Sequence, residues 1–74
     1  MSYGTQPELT TAQRKVLDYV IAYRDEHQCP PSRWDISEHF GWRSMNSAQE
    51  HLEALEKKGF VKLIPSRARG IFVC

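Results

Sequence analysis

Cysteine is scarce in this chain: Cys29 and Cys74 are the only two among 74 residues. Two thiols are too few to staple a small secreted scaffold, so a reducing, cytoplasmic setting is expected. There is no Cys-x-x-Cys and no His-x-x-x-His pair, and His27, His39 and His51 are spread along the chain. That spread does not fit the closed four-ligand sets of structural zinc sites, so no metal is expected. Long apolar runs are missing as well. None approaches the ~18 residues that suggest a membrane span. The opening stretch MSYGTQPELTTAQ has no basic segment leading into an apolar one, as a secretory signal would. There is no glycine-rich phosphate loop, no paired-carboxylate site and no nucleophile–base signature. A chain this small also has little room for a ligand pocket of ~300 Å³. The expectation is no enzyme, no cofactor and no small-molecule ligand.

Strong net charge is absent too. The total is only +1, which argues against a non-specific polycation, but the charge is unevenly placed. Residues 1–42 hold 4 Lys/Arg against 6 Asp/Glu, and residues 43–74 hold 6 Lys/Arg against 3 Asp/Glu. The C-terminal half is therefore the better candidate to face an anion.

Hydrophobic period and cap chemistry are present in quantity. Residues 1–8 lack periodicity and read as a flexible arm, leaving 9–74 as one domain. Thr10 and Gln13 have capping-box spacing ahead of a helical stripe made by Val16, Leu17, Val20, Ile21 and Tyr23. Pro30 and Pro31 end that helix. Ser32 and Asp35 repeat the box for a short second helix with Ile36 and Phe40 on one face, stopped by Gly41. A third helix is predicted from about Ser47 to Lys58, with Ala48, Leu52 and Leu55 inward. Its cap is expected from Asn46 with Gln49, or from Ser47 with Glu50, and Ser44 is a further residue that could cap or turn the chain. Gly59 suits the left-handed position after its end, with Leu55 and Phe60 spaced for the accompanying contact. The period then changes to two. Val61 and Leu63 share one face, Ile71 and Val73 resume it, and SRARG lies between as the turn of a β-hairpin. Trp34 and Trp42 are expected in the core or between helices, because an indole buries so much area, with a place flanking DNA as the alternative.

The predicted fold class is mainly α with a small β-hairpin: a three-helix winged helix-turn-helix. A short helix, a tight turn and a longer helix make the helix-turn-helix, and the basic hairpin makes the wing. Such folds place the third helix in the major groove with its N-terminal residues at base edges. The stretch GWRSMNSAQEH fits that use. Asn and Gln suit adenine, a carboxylate accepts from cytosine, and serines suit phosphates or either base. The same residues also make an ordinary helix cap, and capping is the rival reading of this stretch.

The chain resembles the N-terminal DNA-binding domain of the LexA family of SOS-response repressors. The matching segments are LTTAQRKVLDYV, CPPSRWDIS, FGWRSMNSAQEHLEALEKKGFV and RARGI, spanning about residues 9 to 73. The resemblance implies a three-helix winged domain that binds operator half-sites of double-stranded DNA in bacteria or phage. It implies base reading at Ser44, Asn46, Ser47, Gln49 and Glu50, and backbone contact at or beside Arg43, Arg67 and Arg69. Met45 stands where the family usually has Pro, Ser47 where it has Ala, and Gln49 where it has Glu. Gln donates as well as accepts, so adenine becomes a better partner and an operator other than the usual SOS sequence is expected. LexA proteins add a second domain with a Ser–Lys self-cleavage dyad and most of the dimer interface. This sequence is therefore expected to be one domain of a longer protein or a small phage-type regulator. Self-association is expected only between copies on a double site. The alternative function is a winged-helix module that docks on a host repressor or RNA polymerase.

Overall fold

The computed structural model describes residues 9–67 and 69–73. The arm predicted at residues 1–8 lies outside them, as do Ala68 and Cys74. Helix α1 runs Thr11–His27, α2 Arg33–Phe40 and α3 Met45–Lys57. Strands β1 (Val61–Leu63) and β2 (Ile71–Val73) form an antiparallel pair with Val61 opposite Val73, Lys62 opposite Phe72 and Leu63 opposite Ile71. This is the predicted three-helix winged arrangement.

Local chemistry accounts for the helix limits. Thr10 Oγ1 accepts from the Gln13 N–H at 3.1 Å, and Gln13 Oε1 accepts from the Thr10 N–H at 3.1 Å. Ser32 and Asp35 exchange the equivalent pair at 3.1 and 3.0 Å. Each box satisfies two backbone donors that a helix start leaves open. At the other ends, Gly41 (φ 72°) and Gly59 (φ 87°) take the left-handed conformation that glycine adopts without a Cβ penalty. Beyond them, the Trp42 N–H donates to the Ser37 carbonyl at 2.8 Å and the Phe60 N–H to the Leu55 carbonyl at 2.9 Å. Those are the long closing bonds of Schellman caps. Helix α1 ends instead on Gln28, a non-glycine residue at φ 64°. Its N–H donates to the Arg24 carbonyl at 2.8 Å, and its side-chain amide donates to the Asp25 carbonyl at 3.0 Å.

All three helices and both strands contribute to one core. Val16, Leu17 and Val20 of α1, Ile36 of α2, Ala48, Leu52 and Leu55 of α3, Val61 and Ile71 are buried together. Partly buried Tyr19, Ile21, Phe40, Trp42, Phe60, Leu63 and Val73 surround them. At the wing, Pro65 and Ser66 sit in a turn closed by the Arg67 N–H on the Ile64 carbonyl at 3.2 Å. The Ile64 N–H reaches the Gly70 carbonyl at 2.7 Å. A Cβ on Gly70 would stand 2.5 Å from the Ile64 oxygen, so this close approach of two backbones requires glycine.

Two expectations need correcting. Helix α3 starts at Met45, before the predicted Ser47, and its cap is Ser44, whose Oγ accepts from the Asn46 N–H at 3.0 Å. The Schellman turn at Gly41–Trp42 leaves only Arg43 before Ser44, whose extended backbone (φ −127°, ψ 138°) is the cap conformation. The second correction concerns Trp34, which is 56% exposed, while Trp42 is half-buried against the core as expected. Trp34 lies in the first turn of α2, and the buried positions of that helix are Ile36 and Ser37.

Candidate nucleic-acid interface

The candidate interface begins with the turn between α2 and α3. The Trp42 ring stacks on Phe40 at 4.9 Å between centroids and on His51 at 4.7 Å. Phe40 belongs to α2 and His51 to α3, so this sandwich sets how the two helices meet. His51 Nδ1 also lies 2.7 Å from the Ser47 carbonyl, which can only accept, so Nδ1 carries the proton. The buried Ser37 hydroxyl donates to the Ser44 carbonyl at 3.5 Å and adds a second tie across the turn. The first turn of α3 is thus held by contacts beneath it, and its outer face is open.

The sequence-predicted base readers fall into two groups on that turn. Ser44, Asn46 and Glu50 are exposed. Asn46 Nδ2 donates to Glu50 Oε2 at 3.4 Å, and neither side chain caps the helix. Ser47 and Gln49 are half-buried. Gln49 Oε1 accepts from Arg33 Nε, and its Nε2 donates to Glu53 Oε2 at 2.7 Å. An amide oxygen has two acceptor sites and the NH₂ two donors, so one of each remains. The two partners orient the Gln49 amide without exhausting it.

The predicted backbone residues also separate. Arg43 and Arg67 are exposed, Arg43 just before the cap of α3 and Arg67 on the wing. The Arg69 guanidinium is engaged within the domain. Its Nη1 lies 3.0 Å from Asp35 Oδ2, 2.9 Å from the Pro30 carbonyl and 3.3 Å from the Tyr23 hydroxyl. Arg69 therefore latches the base of the wing to α1 and α2, a role no sequence pattern suggested. Arg33 is the residue that sequence reasoning missed. Besides Gln49, its Nη1 reaches the Arg67 carbonyl at 3.5 Å, so one guanidinium joins α2, α3 and the wing. Its only sequence signal was membership of CPPSRWDIS, where spacing assigns it nothing.

Asp35 serves both the helix cap and the latch. The Ser32 backbone N–H holds its carboxyl below the ordinary value, against some desolvation, and Ser32 Oγ and Arg69 add to the lowering. A carboxyl depressed in the folded state adds stability above its unfolded value of ~3.9, and that stability is lost as pH falls through the folded value. Asp35→Asn should therefore flatten the loss of stability on acidification below about pH 4, while lowering stability by ~1 kcal/mol near neutrality through the weakened cap. Thermal melts between pH 7 and pH 3 check this, and identical acid limbs in the two proteins would refute it.

Among the described residues no group of three or more His, Cys, Asp or Glu side chains could hold a metal. No helix among them is long and apolar enough to cross a membrane.

A third helix whose start exposes Ser44, Asn46 and Glu50, seated on a stacked turn and followed by a hairpin, defines a winged helix-turn-helix domain. Residues 6–70 match the family model of the LexA DNA binding domain, and the chain belongs to that family. It is 45% identical over 64 residues to the LexA repressor of Marinobacter nauticus, covering 86% of this chain and 32% of that protein. Against the LexA repressor of Saccharophagus degradans it is 42% identical over 64 residues, with the same coverage of each. Against that of Leptothrix cholodnii it is 42% identical over 65 residues, covering 88% of this chain and 28% of the relative. The chain thus spans about a third of the length of these curated relatives.

Proposed function

We propose that this domain binds double-stranded DNA sequence-specifically, as the DNA-reading part of a transcriptional repressor, with the first turn of α3 in the major groove. The observation that carries this is the division of labour at that turn. Ser44 alone caps the helix, so Asn46 and Glu50 are left exposed with no structural duty beyond each other. Ser44, Asn46, Ser47, Gln49 and Glu50 are the base-side residues. Asn46 offers the donor and acceptor that suit adenine, and Glu50 can accept from the cytosine amino group. The donor and acceptor left on Gln49 form a second adenine-type pair, oriented by Arg33 and Glu53.

Arg43 and Arg67 face phosphates on either side of the turn, and Arg69 acts from within by fixing the wing. A second copy on a neighbouring half-site is the expected route to a double operator. The rival reading, a module that docks on a host repressor or polymerase, is not favoured by relatives that are named repressors and a family named for DNA binding. Selection from random duplex DNA tests the proposal. An enriched motif of a few base pairs is the expected outcome, and its absence would overturn sequence-specific binding.

The wing gives a separate result. Arg67→Ala should weaken binding to all duplexes alike and lower the dependence of log affinity on log salt by ~0.9, the release of about one counterion. Titrations at several salt concentrations measure the slope, and an unchanged slope would remove Arg67 from the phosphate contacts.

A further inference from the structure

The base-side turn carries an apolar element that its polar residues do not explain. Trp34 is 56% exposed and Met45 52%, and with Phe72 they are the large hydrophobic side chains left most open to water among the described residues. Phe72 lies on β2. Trp34 and Met45, although eleven positions apart, line one shallow concavity whose surface is almost wholly apolar, shared with Ser32 and Arg33. Isolated apolar side chains on a surface are ordinary, but two large ones sharing a hollow beside a binding face suggest an apolar partner. Met45 is the first residue of α3, between the capping Ser44 and the exposed Asn46. The two side chains leave the same turn about 100° apart, Met45 toward Trp34 and Asn46 toward Glu50, so they can meet neighbouring parts of one partner.

The major groove displays one apolar group at its base edges, the C5-methyl of thymine. We propose that Met45 takes up a thymine methyl adjacent to the base read by Asn46, and that Trp34 forms the wall behind it and keeps water out. This assignment rests on the DNA-reading role proposed for α3. The chemistry of Met45 fits: an unbranched, polarisable thioether adapts its shape to a small apolar group. The position of Trp34 fits as well. It lies in the first turn of α2, the helix that crosses the DNA backbone in this kind of domain, so its ring would close the hollow on the sugar–phosphate side. Arg33, on the rim of the same hollow, also contacts Gln49, so the apolar and polar readers share one support.

The test removes the methyl and nothing else. Each thymine of the selected duplex is replaced in turn by deoxyuridine, and binding is measured for the unaltered domain, Met45→Ala and Trp34→Ala. Both side chains are exposed, so both variants should fold, and circular dichroism verifies this. One thymine position should lose about 3- to 5-fold in affinity on conversion to deoxyuridine, the value of burying one methyl-sized apolar group. Met45→Ala should bind the thymine duplex weaker by a similar factor and no longer distinguish thymine from deoxyuridine there. Trp34→Ala should reduce the discrimination. Deoxyuridine neutral at every position, or discrimination unchanged in Met45→Ala, would overturn the assignment and leave the hollow to a protein partner. Absence of any enriched sequence would bring down the DNA-reading proposal as well. An enriched sequence in which deoxyuridine is neutral brings down this one alone.

Discussion

Leu52→Ala is expected to destabilise the domain by about 2–5 kcal/mol, the range for emptying a packed leucine site. Leu52 is fully buried in the middle of α3, in the cluster that joins all three helices to both strands. A chain of 74 residues has only ~4–11 kcal/mol of total stability by the usual allowance per residue. The substitution thus removes a large share of what holds the domain together, and a substantial unfolded fraction at 37 °C is expected. Urea titration measures it, with the midpoint falling and the slope unchanged if the native state stays compact. A loss under about 1 kcal/mol would mean that α3 is not rigidly seated. The result bears on the DNA reading proposed for α3. Base discrimination demands that the first turn hold its position, and the anchor of that turn is the buried face formed by Ala48, Leu52 and Leu55. The variant should bind DNA more weakly on specific and non-specific duplexes alike, because the defect lies in the folded population and not in any base contact.

The fold could be read from the sequence because its instructions are local. Two capping boxes are each complete within four residues, Gly41 and Gly59 supply the left-handed turns, and alternation marks Val61 with Leu63 and Ile71 with Val73. The start of α3 was harder because three cap candidates compete within four residues: Ser44, Asn46 and Ser47. The winner is decided by the turn that precedes it, and the bond from Trp42 back to Ser37 fixes where the chain re-enters helix. The candidate interface is a list of residue types in the sequence, and its arrangement appears only in the structure. Arg33 meets Gln49 across 16 positions, and Arg69 meets Tyr23 across 46. Contacts of that span leave no periodic trace, so nothing in the sequence shows that Arg69, a candidate for backbone contact, also latches the wing in place. The exposure of Trp34 was hidden for a related reason. An indole is expected to seek the core, and only the rotational phase of α2, set by Ile36 and Ser37, turns it outward.

Asn46→Ala is expected to weaken binding to the selected DNA sequence by about 1–3 kcal/mol, roughly 5- to 150-fold, and to relax preference at a single base pair. Affinity for unrelated duplexes should change little, because the phosphate contacts remain. The structure makes this a cleaner test than the sequence alone would allow. Had Asn46 been the helix cap, its removal would have loosened α3 and reduced binding everywhere. The cap is Ser44, and the Asn46 side chain meets only the exposed carboxylate of Glu50 at 3.4 Å. Exposed substitutions of this kind usually shift stability by ~0.5 kcal/mol or less. The melting temperature should therefore hold while specificity falls. Glu50 provides an internal control. If Asn46 merely orients Glu50, then Glu50→Ala and the double variant should lose as much as Asn46→Ala, and the same base pair should relax in all three. If each side chain reads its own base, different positions relax and the two losses add. A uniform drop across all sequences, accompanied by a lower melting temperature, would show that Asn46 acts on the helix and would remove it from the base contacts.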